Sequence, residues 1–235
     1  NRTATTADIP QERTAHRHKL GQRGGAHFLF GDGAIGLKKR IRQARDAGQR
    51  NGEDDESLHA AIEALAQQHD FIVIDCPGGS SHLTHIAHAV ADTLLTPLND
   101  SFVDLDLLAR IDPDTYAVGK LSFYAEAVWE SRKLRAASGL PGLDWVLIRN
   151  RTSTTFSKNR ERMDRALKSL ERRLALRYVR GLSERVIYRE LFPKGLTLAD
   201  LKGLKGGPRL TMSHVAARHE LRCLLNDLAL PGWGH

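Results

Sequence analysis

The sequence predicts an α/β protein: a parallel sheet flanked by helices, running into a helical and basic C-terminal part. Three observations carry that reading. Phe71-Ile72-Val73-Ile74, Thr93 to Pro97 and Trp145-Val146-Leu147-Ile148 are short, largely apolar runs, the pattern of strands covered on both faces. Segments of helical periodicity lie between them, as in βαβ units. Charge is divided sharply along the chain.

Taken in order, residues 1–25 are polar and lack an apolar period, so they read as irregular. His27-Phe28-Leu29-Phe30 is a short strand candidate, followed by a Gly-rich turn, a basic stretch from Leu37 to Arg50 and an acidic loop from Asn51 to Glu56. Leu58, Ile62 and Leu65 recur at helical spacing, with Asp54 and Asp55 placed to cap that helix. After the first apolar strand, Cys76-Pro77-Gly78-Gly79-Ser80-Ser81 breaks the chain and can cap a helix over 82–91. Ser122 to Ser138 reads as an amphipathic helix stopped by Gly139. Beyond the third strand the chain turns mainly helical, near 155–178, 184–191, 197–202 and 212–229. The 235 residues read as a single domain.

Composition excludes several classes. With 41% hydrophobic and 27% charged residues, the chain can bury a core without staples. Cys76 and Cys223 are the two cysteines and form no CxxC pair, which argues against a disulfide framework or structural zinc and suits the cytoplasm. No apolar run approaches the roughly 20 residues of a membrane helix, and no signal-peptide pattern opens the chain.

The net charge of +7 is a residue of larger opposed charges. Residues 51–130 hold 2 Lys/Arg against 15 Asp/Glu, and residues 131–235 hold 22 against 9. A basic half of this kind suits a polyanion, most plainly nucleic acid, unless the two halves neutralise each other in the fold. Its densest stretch runs from Lys158 to Arg180 and includes Arg160, Arg162, Arg165, Lys168, Arg172, Arg173 and Arg177, around a buried stripe of Phe156, Met163, Leu167, Leu170 and Leu174. Such an array suits phosphates and reads no base sequence.

Three motifs bear on chemistry. In Phe71 to Gly79 an aspartate, Asp75, stands at the tip of an apolar strand and two glycines follow. An Asp so placed can help to hold nucleotide-bound magnesium, and Gly78 and Gly79 let backbone amides approach a phosphate. An ordinary strand end fits the same residues. Gly31, Gly33 and Gly36 match GxGxxG, but no acidic residue ends a second strand about 20 residues on, so a Gly-rich turn is the better reading than a dinucleotide site. His82, His85 and His88 rotate around one helix by about 60° per step; they read as a solvated face, not a metal site.

Taken together, DFIVIDCPGG (70–79), AHAVADTLLTPLNDSFVDLDLL (87–108), DWVLIRNR (144–151), RVIYRELFPKGLTLADL (185–201) and HVAARHELR (214–222) resemble the MipZ family, the division-plane positioning ATPases of the ParA/MinD (deviant Walker) superfamily of P-loop NTPases. The resemblance implies an ATP- and Mg²⁺-binding protein that dimerises around two nucleotides. It also implies non-specific DNA binding over the nucleoid, interaction with a ParB-type partitioning protein and inhibition of FtsZ polymerisation. Residue by residue, it matches Asp75 to the Walker B carboxylate, an indirect Mg²⁺ ligand, and Pro77, Gly78 and Gly79 to the switch turn. Asn150 matches a residue near the base, and Pro97, Asn99 and Asp100 lie by the nucleotide edge. Lys158, Arg160, Arg162, Arg165, Arg185 and Arg189 match the DNA-facing surface. The family's KGGxGKS loop and DxDxRQ segment are absent from this sequence. The chain is therefore expected to be an N-terminally truncated ATPase that is inactive alone and has exposed sheet edges. The alternative is a P-loop-less, nucleotide-independent DNA-binding or interaction protein.

Overall fold

A five-stranded sheet organises the computed structural model, which describes residues 27–30, 52–67, 69–76, 81–99, 101–112, 114–152, 158–200 and 211–230. Its strands are β1 (His27–Phe30), β2 (Ile72–Asp75), β3 (Thr93–Asn99), β6 (Asp144–Thr152) and β7 (Arg177–Ser183), in the order β2-β1-β3-β6-β7. β3, β6 and β7 are parallel. β1 is antiparallel to both β2 and β3 and sits between them. The remaining strands, β4 (Ala109–Ile111) and β5 (Val118–Leu121), form a separate hairpin.

The helices are α1 (Gly52–Ala66), α2 (His82–Val90), α3 (Phe102–Leu105), α4 (Phe123–Ala137), α5 (Lys158–Leu174), α6 (Val186–Leu191) and α7 (Met212–Asp227). Ser81 and Ser122 cap α2 and α4, their hydroxyls accepting from the amides of Thr84 and Ala125; such a bond satisfies one of the orphan donors of a first turn. Thr211 and His214 close a reciprocal capping box on α7. After α4 the chain reverses at Gly139, which takes φ 65°, a conformation that costs glycine nothing.

Alternate residues of β3 and β6 enter different cores. Leu94, Leu98, Trp145 and Leu147 pack with Ala87, Val128, Met163, Leu167 and Leu170 of α2, α4 and α5. Leu95 and Val146 face the other way and meet Leu224 and Leu228 of α7 and its end, together with Val179. Two helical layers therefore explain why these strands are apolar on both faces.

Several expectations change. β2 is an edge strand, with Val73 58% and Phe71 36% exposed, so it is not covered on both faces. Asp54 and Asp55 lie inside α1, which begins at Gly52, and not ahead of it. Arg149, Asn150 and Arg151 continue β6. The helix expected to reach residue 178 stops at Leu174, and Arg177 and Arg180 belong to β7. The stop has a cause: Arg132 of α4 donates to the carbonyls of Leu174 and Ala175, while Ala175 turns through φ 48°. The irregular arm over 1–25 and the GxGxxG of Gly31, Gly33 and Gly36 lie outside the described residues.

β6 and β7 approach closely where their register shifts, between Ile148 and Asn150. A Cβ at Gly181 would lie 1.5 Å from the Arg149 carbonyl oxygen. Gly181→Ala should therefore part the two strands and cost about 3 kcal/mol. The expected reading is a lower urea midpoint with an unchanged m-value; an unshifted midpoint would refute the close approach.

Candidate functional site

The carboxyl ends of β2, β3 and β6 lie at one edge of the sheet, where α/β proteins place their ligands. Asn99 and Asn150 are paired in register across β3 and β6, and Pro97 pairs with Ile148 two residues earlier. Asp75 stands at the same edge but further back, level through His27 of β1 with Leu95. One intervening strand therefore puts the backbone of Asp75 roughly 10 Å from β3. Asp75 and Asn99 are exposed and Asn150 is half-buried.

Local hydrogen bonds shape this edge. The Asp104 carboxylate accepts the Asn99 amide at 2.8 Å, tying α3 back to β3. The Asn150 side-chain oxygen accepts the amide of Arg151 at 3.0 Å, where the backbone takes φ 53°. Beneath β3, Thr96 shares a hydrogen bond of 2.8 Å with the Tyr124 hydroxyl and accepts the Trp145 indole N–H at 3.0 Å. Beside Asp75, burial and then the Asp75 charge push the Cys76 thiol up to about 12, so Cys76 is a core residue and no nucleophile. Pro77, Gly78, Gly79 and Asp100 lie outside the described residues.

An exposed carboxylate and two amide oxygens are hard donors that suit Mg²⁺. The phosphate cradle is a different matter, because no KGGxGKS segment occurs in the sequence. Asp75 stands a strand away from Asn99 and two from Asn150, so the three donors do not converge on one ion, and no hydrolytic step is assigned to them.

The second arrangement is helix α5. Met163, Ala166, Leu167, Leu170 and Leu174 are 2% exposed or less and form its buried stripe. Two of its three acids make internal contacts, Asp164 pairing with the buried Arg149 at 2.6 Å and Glu171 accepting the Tyr178 amide at 2.8 Å, while Glu161 is exposed. Arg162, Lys168 and Arg172 are exposed and have no ion-pair partner among the described residues. Arg165 lies over the Tyr116 ring at 5.2 Å. The side chains of Lys158 and Arg160, in the first turn, are outside the described set.

Arg185 and Arg189 stand apart from this face in chemistry. Arg185 makes a bidentate pair with Glu220, which also binds the amide and hydroxyl of Ser183. Burial raises the Glu220 carboxyl, but the hydrogen bonds from Arg185 and Ser183 outweigh it and hold the pKa below its usual value. Arg189 is exposed and pairs with Glu184 at 3.1 Å. The hairpin β4–β5, carrying Tyr116, was missed by strand patterning. Its signal was the turn-rich run Asp112-Pro113-Asp114-Thr115.

The family profile described as ATPase MipZ matches residues 34–232. The chain belongs to the MipZ ATPase family. No individual curated protein matches it. Among the described residues, no helix is long and apolar enough to cross a membrane. Family membership places the chain with ATPases of division positioning, as its sequence motifs implied.

The histidines of α2 also depart from expectation. His88 is 1% exposed and meets the Tyr124 ring edge-on at 6.0 Å, so this side of α2 is core, not a solvated face. No group of three metal-ligating side chains occurs among the described residues. Burial, and then the neighbouring His85, lower the His88 pKa to about 4 from its ordinary 6.5. Between those values the unfolded chain binds the proton and the folded one does not, so stability falls as pH drops from about 6.5 toward 4. The loss should be on the order of 2–3 kcal/mol. Urea titrations at pH 7 and pH 4.5 check it: His88→Leu should flatten this slope, and a slope left intact would assign it to another group.

Proposed function

We propose that the chain is a MipZ-type switch that binds DNA without sequence preference through α5 and acts in positioning the division site. The observation that carries the reading is the surplus of exposed bases on this helix, against Glu161 as its exposed acid. Asp164 and Glu171 are spent on internal contacts, whereas Arg162, Lys168 and Arg172 face solvent without ion-pair partners among the described residues. Charges three and four residues apart stand about 5 Å apart along the axis, close enough to follow consecutive phosphates. Arg165 extends the same surface, and in this reading Lys158, Arg160, Arg185 and Arg189 also contribute to DNA binding.

In this reading ATP and Mg²⁺ sit at the carboxyl edge of the sheet. Asp75 holds the metal indirectly, Pro77, Gly78 and Gly79 form the switch turn, and Pro97, Asn99, Asp100 and Asn150 border the nucleotide. ATP orders a homodimer, which doubles the basic surface presented to the nucleoid. The ParB-type protein and FtsZ are its protein partners, so that the dimer's distribution over the nucleoid confines the division ring.

A second reading is nucleotide-independent DNA binding, favoured because the exposed bases of α5 stand in place with no nucleotide bound. Titrating labelled duplex with and without ATP–Mg²⁺ separates the two. A tenfold or larger gain in affinity with nucleotide supports the switch; equal affinities sink it and leave the second reading.

Either reading predicts the behaviour of single charges. Arg162→Ala and Arg172→Ala should each weaken binding to all duplex sequences alike and lower the slope of log K against log salt by about 0.9. A loss confined to one DNA sequence would contradict backbone contact.

A further inference from the structure

Helix α5 and the β4–β5 hairpin touch at two points. At one, the Arg165 guanidinium lies 5.2 Å from the centre of the Tyr116 ring. At the other, Arg173 donates to the Val118 carbonyl. Between the two contacts a cleft of about 430 Å³ opens, lined by Arg165, Lys168, Ser169, Arg172 and Arg173. Among the described residues, four cations and a hydroxyl line it and no carboxylate does.

Tyr116 is held in place by the whole hairpin tip. Its φ of 58° lies in the left-handed region, which a bulky residue adopts only where its surroundings compel it. The compulsion is visible. The Tyr116 amide donates to the Asp112 carbonyl at 2.9 Å, and the Asp112 amide donates to the Ala117 carbonyl at 3.0 Å. The Asp112 carboxylate accepts from the amides of Asp114 and Thr115 and from the Thr115 hydroxyl. Phe102 of α3 meets the same ring at 5.9 Å.

We propose that this cleft is a phosphate-binding subsite and that Tyr116 is the residue that positions Arg165 within it. The inference rests on the DNA reading above, and the ligand is a backbone phosphate of duplex DNA. An aromatic ring is the partner such a site needs. It attracts the flat face of a guanidinium and leaves the N–H edge free to fork onto phosphate oxygens. A carboxylate in its place would occupy that edge and cancel the charge, as Glu220 does for Arg185. Holding Arg165 before the ligand arrives also removes part of the entropic cost of ordering a long side chain on binding. Ser169 adds a neutral donor between Arg165 and Arg172.

The test uses the full chain and a labelled 20-base-pair duplex of arbitrary sequence, read by fluorescence anisotropy across a salt series. Tyr116→Asn removes the ring and is chosen because Asn tolerates the left-handed backbone. It should weaken binding about two- to fivefold. Tyr116→Phe keeps the ring and should bind like the wild type. In an Arg165→Ala background, Tyr116→Asn should cost nothing more, because the tyrosine acts through that arginine.

An equal loss in both backgrounds would mean that Tyr116 serves folding alone, and wild-type affinity in Tyr116→Asn would equally overturn the assignment. If the wild type binds no duplex, the DNA reading itself falls, and this inference with it. If inorganic phosphate binds in a Tyr116-dependent way while duplex does not, the DNA source is overturned in favour of a free phosphate.

Discussion

The parallel ladder between β3 and β6 is the constraint on which the rest of the molecule depends. It joins seven residue pairs, from Thr93 with Asp144 to Asn99 with Asn150. Alternation along it sends Leu94 and Trp145 to one helical layer and Leu95 and Val146 to the other. A slip of one residue would exchange the two sets and put Trp145 under α7. The indole N–H would then lose Thr96, and Thr96 would lose its place beside Tyr124. The register that secures the core also brings Asn99 and Asn150 level at the carboxyl edge. Geometry of the candidate nucleotide edge is therefore a consequence of core packing.

Arginines do much of the remaining structural work. Arg132 donates to the Leu174 and Ala175 carbonyls and lies over Trp145 at 5.5 Å, with no ion pair among the described residues. Arg135, 1% exposed, donates to the carbonyls of Ala89 and Pro141. Both answer helix or loop carbonyls that would otherwise be stranded, and a forked, permanently charged donor can satisfy two at once. Burying a charge is expensive, and several charge-assisted bonds to carbonyls help to offset it at these sites. Some of the basic composition is thus internal, and a count of Lys and Arg overstates what the surface presents.

That distinction explains what was legible in the sequence. The strands at 93–97 and 145–148 and the helices begun by Ser81 and Ser122 were readable, because apolar runs and capping residues are local signals. β7 was not, since Arg177-Tyr178-Val179-Arg180 reads as more basic helix until Arg132 supplies the stop. β2 looked like an interior strand because its four apolar residues cannot say whether a neighbour covers them. The solvated face assigned to the α2 histidines failed for a related reason: helical spacing fixes relative angles, not which angle meets the core. At the candidate site the sequence named the charged residues but not their commitments. Arg185 and Arg162 look alike as letters, and only tertiary structure pairs one with Glu220 and leaves the other in solvent.

The same commitments bear on the division of charge along the chain. The basic half neutralises itself in part, through Arg149 with Asp164, Arg177 with Asp144, Arg185 with Glu220 and Arg189 with Glu184. Those partners are themselves drawn from residues 131–235. Asp164 and Glu171 of α5 are thereby turned inward, and the outer face carries Arg162, Arg165, Lys168 and Arg172 with Glu161 as its exposed acid. A helix in which each base faced an acid four residues away would be comparably stable on its own, but its field would vanish within a few ångströms. Committing two of the three acids to internal contacts leaves the outer face with a surplus of positive charge, which is what attraction of a polyanion through screening salt requires.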